Sequence, residues 1–251
     1  MVQSRMVLDP PNPPQRSFEI VARQIAAMVR ARYDIGQKLP GERELAKSFG
    51  VSRPTIREAI LSLAMAGMVR VRNNSGAYVV SRHEAPDVDT LEGFGPFENL
   101  RARHLVEPQI AGIAAQRASE SIIAKLADSL AAMRWEHAQG RESDQADHRF
   151  HILLAEATGN GVLVSICDQL WRGQIESRIW REIHTRMRME DYRPTWLKDH
   201  EDIYAAVVEH NPRRSSAAMV RHLTHIEEAL MTASHSKVLA RQATTEGVTA
   251  P

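Results

Sequence analysis

Residues 42–80 leave this chain few folds to choose from. Glu42 to Phe49 reads as a short helix, followed by Gly50 at the position where helices end on a left-handed glycine. Ser52 can cap a third helix with Pro54 in its first turn, and Ile56, Ala59, Ile60 and Leu63 recur at helical spacing up to Gly67. Two short β-branched runs follow, Met68–Val71 and Ala77–Val80. The intervening Asn73-Asn74-Ser75-Gly76 tolerates positive φ, so the runs predict a hairpin. Upstream, Ser17 offers a cap, and Phe18, Val21, Ile25, Met28 and Val29 keep a helical period to Arg32. Gly36 and Pro40 punctuate the loop after it. Three helices and a hairpin in this order predict a winged helix-turn-helix over residues 17–82.

The remainder reads as all-α, so the predicted class is mainly α. Residues 1–16 are Pro-rich and expected to be a disordered tail; they lack the apolar stretch of a signal peptide. Residues 83–97, with Pro86, Gly93, Gly95 and Pro96, read as a linker. Helical signals then occupy 98–117, 119–139, 143–158, 160–190 (with room for a break), 193–210 and 212–234. They predict a helical bundle over 98–236, with a flexible tail at 237–251.

The 251 residues are 43% hydrophobic, enough for sizeable cores. A lone cysteine, Cys167, excludes an internal disulfide framework and fits the reducing cytoplasm. No run of 18 apolar residues predicts a membrane span. The net charge of +1 conceals +7 over residues 1–82 and −6 over 83–251. A basic head on an acidic body is the asymmetry of a polyanion-binding module joined to one that binds something else.

In a winged helix-turn-helix the third helix lays its N-terminal end in the major groove of double-stranded DNA. Here that end is Ser52-Arg53-Pro54-Thr55-Ile56-Arg57. Arg53 and Arg57, four apart, share a face and can fork onto guanine or clamp a phosphate. Ser52 and Thr55 suit phosphate oxygens. Arg43 can reach the backbone or an adjacent base, and Gly76 permits close approach of the wing. The stretch from Leu39-Pro-Gly-Glu-Arg-Glu-Leu-Ala through Gly50-Val-Ser-Arg-Pro-Thr-Ile-Arg-Glu-Ala to Tyr78-Val79 resembles the GntR family of bacterial transcription regulators. The resemblance implies operator binding as a homodimer, with Arg43, Arg53 and Arg57 as principal contacts. The chain departs from the family pattern at Gly41 and Asn74, so the wing's groove contact is expected to differ.

The body resembles the FCD domain of the FadR subfamily through Asp147-His-Arg-Phe-His-Ile-Leu-Leu-Ala-Glu-Ala-Thr-Gly-Asn160 and Arg103-His-Leu-Val-Glu-Pro108. Asp147 and His151 form an i, i+4 pair that can share one divalent ion, provided other helices add ligands. The subfamily's Asp, His, His, His pattern falls on Asp147, His151, His200 and His222. Three imidazoles favour zinc, with nickel and manganese open. Subfamily effectors are small carboxylates or sugar acids. Arg103, one turn before Glu107, occupies the subfamily's arginine position as an effector clamp, and Arg178 and Trp180 are further candidates. His104, His137, His148, His184, His210, His225 and His235 are read as ordinary core or surface residues, and Asn160 as a helix cap. Together these features point to a repressor of organic-acid or sugar-acid catabolism. A metal-sensing regulator and a metalloenzyme are the alternatives; no general base beside the motif supports the latter.

Overall fold

The computed structural model describes residues 17–72, 75–82, 94–140, 144–185 and 187–235. Both tails, the core of the linker (83–93), and Asn73 and Asn74 lie outside the described residues.

The head runs α1 (Ser17–Arg32), α2 (Glu42–Phe49), α3 (Arg53–Met65), β1 (Val69–Arg72) and β2 (Gly76–Val79). Local chemistry sets its corners. Gly50 ends α2 at φ 68, a left-handed conformation that costs glycine little. The Ser52 hydroxyl accepts the Thr55 backbone N–H at 3.2 Å, capping α3. Phe18, Val21, Ile25 and Val29 of α1 are buried against a core that includes Leu45, Ile56, Ile60 and Leu63. The hairpin is antiparallel, pairing Val69 with Val79, Val71 with Ala77 and Arg72 with Gly76. Val69, Ala77 and Val79 are buried, whereas Arg70 and Arg72 stay in solvent. Both strands therefore sit one residue from their expected positions.

The body is helical among the described residues: α4 (Pro96–Arg117), α5 (Glu120–Ala138), α6 (Gln145–Ala157), α7 (Gly161–Glu176), α8 (Arg178–His184), α9 (Met189–Val208) and α10 (Pro212–His235). α4 begins inside the stretch read as linker. The single segment read over 160–190 breaks at Ser177, whose hydroxyl accepts the Trp180 N–H at 3.2 Å and starts α8. α9 starts earlier than expected, carrying Pro194 inside it. Asn160 caps α7 as expected, accepting from the Val162 N–H at 3.0 Å. α10 packs along α4 and α9, and α4 also packs on α6 and α7. These contacts bring the chemistry-bearing faces of α4, α6, α9 and α10 to one place.

Head and body touch through α3. Glu58 is fully buried, and its Oε1 accepts the backbone N–H groups of Phe97 (2.7 Å) and Glu98 (3.0 Å) in the first turn of α4. Gly95, the N-cap of α4, has no side chain for that job. A Cβ there would lie 2.5 Å from Glu58 Oε1, so the absence of a side chain is what admits the carboxylate.

Candidate functional site

α6 places Asp147 and His151 one turn apart on its inner face, and α9 and α10 add His200 and His222. One ligand atom from each of the four lies within 4.8 Å of all the others. The Asp147 Oδ1 is 3.2 Å from His151 Nε2 and 3.0 Å from His200 Nε2, and the two Nε2 atoms are 3.4 Å apart. All three histidines are buried.

The second nitrogen of each ring explains this convergence. His151 Nδ1 lies 2.8 Å from Glu107 Oε2. His200 Nδ1 lies 2.7 Å from the Trp196 carbonyl oxygen, and His222 Nδ1 lies 3.8 Å from Asp199 Oδ2. Where an outer nitrogen holds a proton against its acceptor, as at His200, Nε2 is left free to ligate. His151 Nε2 becomes free once the proton it shares with Asp147 leaves, and His222 Nδ1 makes no hydrogen bond among the described residues. His222 Nε2 is buried with no hydrogen-bond partner among the described residues, a costly arrangement unless an ion completes it. The donor set therefore fits a divalent cation, and Asp147, His151, His200 and His222 are the residues that would hold it.

Electrostatics follow the same map. Burial alone would lower the His151 pKa, but Glu107 and Asp147 outweigh it and raise the value to about 8. Burial, helped by the His200 imidazole, pulls His222 down to about 3. Burial works to raise Glu107, yet Arg103 and His151 hold it well below the usual carboxylate range.

Arg103 is 1% exposed. Its Nε and Nη2 donate to Glu107 at 2.6 and 3.2 Å, Nη1 donates to Gln174 Oε1 at 2.7 Å, and the guanidinium lies 5.1 Å from the Trp171 ring centre. The expected clamp thus has its donors engaged inside the protein, where it orients Glu107 and, through it, His151. Arg178 is exposed at the start of α8, and Trp180 is buried beside His184. Neither lines the cleft next to the histidines. The indole at the cluster is Trp171, 5.5 Å from the His151 ring and stacked on His148 at 5.1 Å. Gln174 and Trp171 were not anticipated, because their contacts run to Arg103 on α4 and to His148 and His151 on α6, which the spacing within α7 does not reveal.

In the head, Arg43, Ser52, Arg53 and Gly76 are exposed. Thr55 is instead buried, its hydroxyl 2.8 Å from that of Ser52. Arg57 also differs from its expected role. It is 2% exposed, pairs with Glu42 at 2.5 Å and touches the Met231 sulfur of α10. It ties α2, α3 and the body together in this arrangement rather than facing solvent. Around the wing tip the structure adds exposed cations that the sequence left unremarked. Arg72 lies 4.4 Å over the Tyr78 ring, and a Cβ on Gly76 (φ 103) would sit 3.2 Å from Lys38 Cε. No helix among the described residues is long and apolar enough to cross a membrane.

A basic winged helix-turn-helix docked on a helical domain that gathers Asp147 and three buried histidines has the architecture of a transcription regulator. Comparison with known proteins agrees. Residues 18–79 match the gntR family of bacterial regulatory proteins, and residues 98–225 match the FCD domain. The Uxu operon regulator of Haemophilus influenzae is 38% identical over 200 residues, covering 79% of this chain and 75% of the relative. The Uxu operon transcriptional regulator of Escherichia coli is 34% identical over 225 residues, covering 86% and 88%. The Exu regulon transcriptional regulator of Escherichia coli is 34% identical over 220 residues, covering 84% and 83%. The chain belongs to the GntR family, in the branch that carries an FCD domain, and is a transcription regulator rather than an enzyme.

Proposed function

We propose that this protein is a homodimeric repressor of sugar-acid or organic-acid catabolism, whose hold on operator DNA changes when a small carboxylate binds beside a divalent ion in the body. The observation that carries the reading is the convergence of three imidazoles and the Asp147 carboxylate on one point in the helical domain. Relatives named for the Uxu operon and the Exu regulon support the metabolic class. Zinc is the first choice for three imidazoles and a carboxylate, with nickel and manganese following. When bound, the ion supplies positive charge that favours an anion in a buried site.

The chain's own residues do the rest. Glu107 and the Trp196 carbonyl orient the His151 and His200 rings, and Arg103 fixes Glu107. α4 carries Arg103 and Glu107 at its centre and meets Glu58 of α3 at its N-terminus. A ligand that binds two placements of α4 unequally therefore biases the head, and a coupling of about 1–3 kcal/mol shifts DNA affinity roughly 5- to 150-fold. Arg43, Ser52 and Arg53 are the proposed groove and phosphate contacts, with Gly76, Arg72 and Lys38 at the wing. Thr55 and Arg57 take part only if the head rearranges on DNA.

The test is a gel-shift titration on the DNA upstream of the protein's own gene, with and without zinc and organic acids. Sequence-dependent binding that Arg53→Ala weakens and an acid shifts is expected; binding that Arg53→Ala leaves intact would sink the reading. A second reading, a regulator that senses the metal itself, draws on the four protein donors, which suffice to hold an ion without an added ligand. DNA affinity that follows zinc but ignores every acid selects it.

A further inference from the structure

Three arginines are buried among the described residues, and two of them are neutralised: Arg57 by Glu42 and Arg103 by Glu107. The third, Arg193 on α9, is 8% exposed and has no hydrogen bond or ion pair among the described residues. None of its nitrogens is sealed off without a partner, so the guanidinium opens into a cavity where water or an anion can meet it, with Glu190 as a nearby opposite charge. Arg193 lines a cavity of about 380 Å³ together with His137, Met187, Met189, Glu190 and Pro194. The volume falls in the lower part of the range of small-molecule sites, roughly 300–1,000 Å³. An adjoining cleft shares His137, Met189 and Arg193 with that cavity and is also lined by Asp147 and His200 of the metal-ligand set. Arg193 thus stands where an open cavity narrows toward the histidines.

We propose that Arg193 is the carboxylate receptor of the effector site, taking a small hydroxy or sugar acid whose other polar end points toward Asp147 and His200. This rests on the reading of the body as a carboxylate-sensing domain and supplies the anion-binding residue that Arg103, with its donors engaged, does not. A guanidinium can donate two parallel hydrogen bonds to one carboxylate, which gives orientation as well as affinity. His137 offers a ring nitrogen to a hydroxyl, while Met187, Met189 and Pro194 give the carbon chain apolar walls. The exposed carboxylate of Glu190, in the same lining, disfavours a ligand with a second negative charge there. The site is therefore selective for monoacids over diacids of equal length.

Calorimetry on the full-length, zinc-loaded protein tests this, with D-glucuronate as probe, D-glucose as its uncharged counterpart, and a zinc titration of every variant. Arg193→Gln should weaken D-glucuronate about ten- to a hundredfold, the value of one lost charge-assisted contact, and leave zinc affinity unchanged. Glucose should bind both forms equally poorly. Undiminished D-glucuronate affinity in Arg193→Gln overturns the assignment of Arg193 while leaving the effector reading intact. Loss in Arg193→Gln but full binding by metal-stripped wild type upholds Arg193 and removes the metal from the reading. No binding of D-glucuronate, D-gluconate or L-lactate by the wild type overturns both. Should Arg193→Gln not fold, Arg193→Lys decides: its single ammonium should lower the preference for glucuronate over glucose, and an unchanged preference overturns the proposal.

Discussion

Replacing Glu58 by glutamine should make the docking of head on body indifferent to pH, and the sign and size follow from the geometry. Glu58 Oε1 accepts two backbone N–H groups at the start of α4, while Oε2 is buried with no partner among the described residues. Burial raises the carboxyl pKa from 4.5 to about 7, against the downward pull of those N–H groups and of Arg101; nearby Glu98 adds to the rise. A proton on Oε2 costs neither hydrogen bond. The folded-state value lies above the unfolded one, so the stabilisation is complete below pH 4.5 and is lost as pH rises through 7. A shift of that size corresponds to about 3 kcal/mol as an upper figure.

Glutamine keeps an acceptor at Oε1 and has no proton to lose. Denaturant unfolding of wild type and Glu58→Gln, at pH 5 and pH 8 and at equal zinc occupancy, isolates the effect because histidine titrations cancel in the difference. Glu58→Gln should be close to neutral at pH 5 and more stable than wild type by up to about 3 kcal/mol at pH 8. Parallel pH profiles for the two proteins would refute the account. Glu58→Ala, which removes the acceptor altogether, should cost about 1 kcal/mol even at pH 5.

The other expectations address the site and the DNA face. Arg103→Ala leaves Glu107 buried without its cation, so it should destabilise the protein by about 3–5 kcal/mol in thermal or denaturant unfolding; a mere loss of effector affinity at unchanged stability would contradict its structural role. Zinc must displace the proton that Glu107 and Asp147 hold on His151 up to about pH 8. Zinc affinity, measured by competition with a chromophoric chelator, should therefore fall about tenfold per unit below that pH, and a flat profile between pH 6.5 and 8 would argue against His151 as a ligand. Lys38→Gln and Arg72→Gln at the wing should each weaken DNA binding whatever the sequence and reduce the slope of log affinity against log salt by about one; an unchanged slope would place them off the phosphates.

What could be read in advance divides along a physical line. The Gly50 turn, the Ser52 cap and the Pro54 first turn are set within a few residues, and the local spacing of Asp147 and His151 is likewise a property of one helix. These were legible. The convergence of His200 and His222 on that pair was legible only through the family pattern, because nothing local marks them off from the chain's other histidines. The residues whose surroundings differ from expectation share another cause. Arg57 shares a helix face with Arg53 by local spacing, but Met231, 174 positions away, touches it in the structure. Arg103 looked like a ligand clamp until Gln174, 71 positions away, took one of its donors. Trp180 lies beyond the break at Ser177, which changes the facing of every later side chain, and it packs beside His184 rather than at the cluster. Arg193 is the extreme case. Its interest lies in making no direct hydrogen bond or ion pair while lining a cavity beside the histidines, a property that no residue carries in sequence and that arises only when α9 has been packed. For the same reason, a charge that opens into a cavity with its donors uncommitted is a better guide to a ligand than a charge at a family position already satisfied from within.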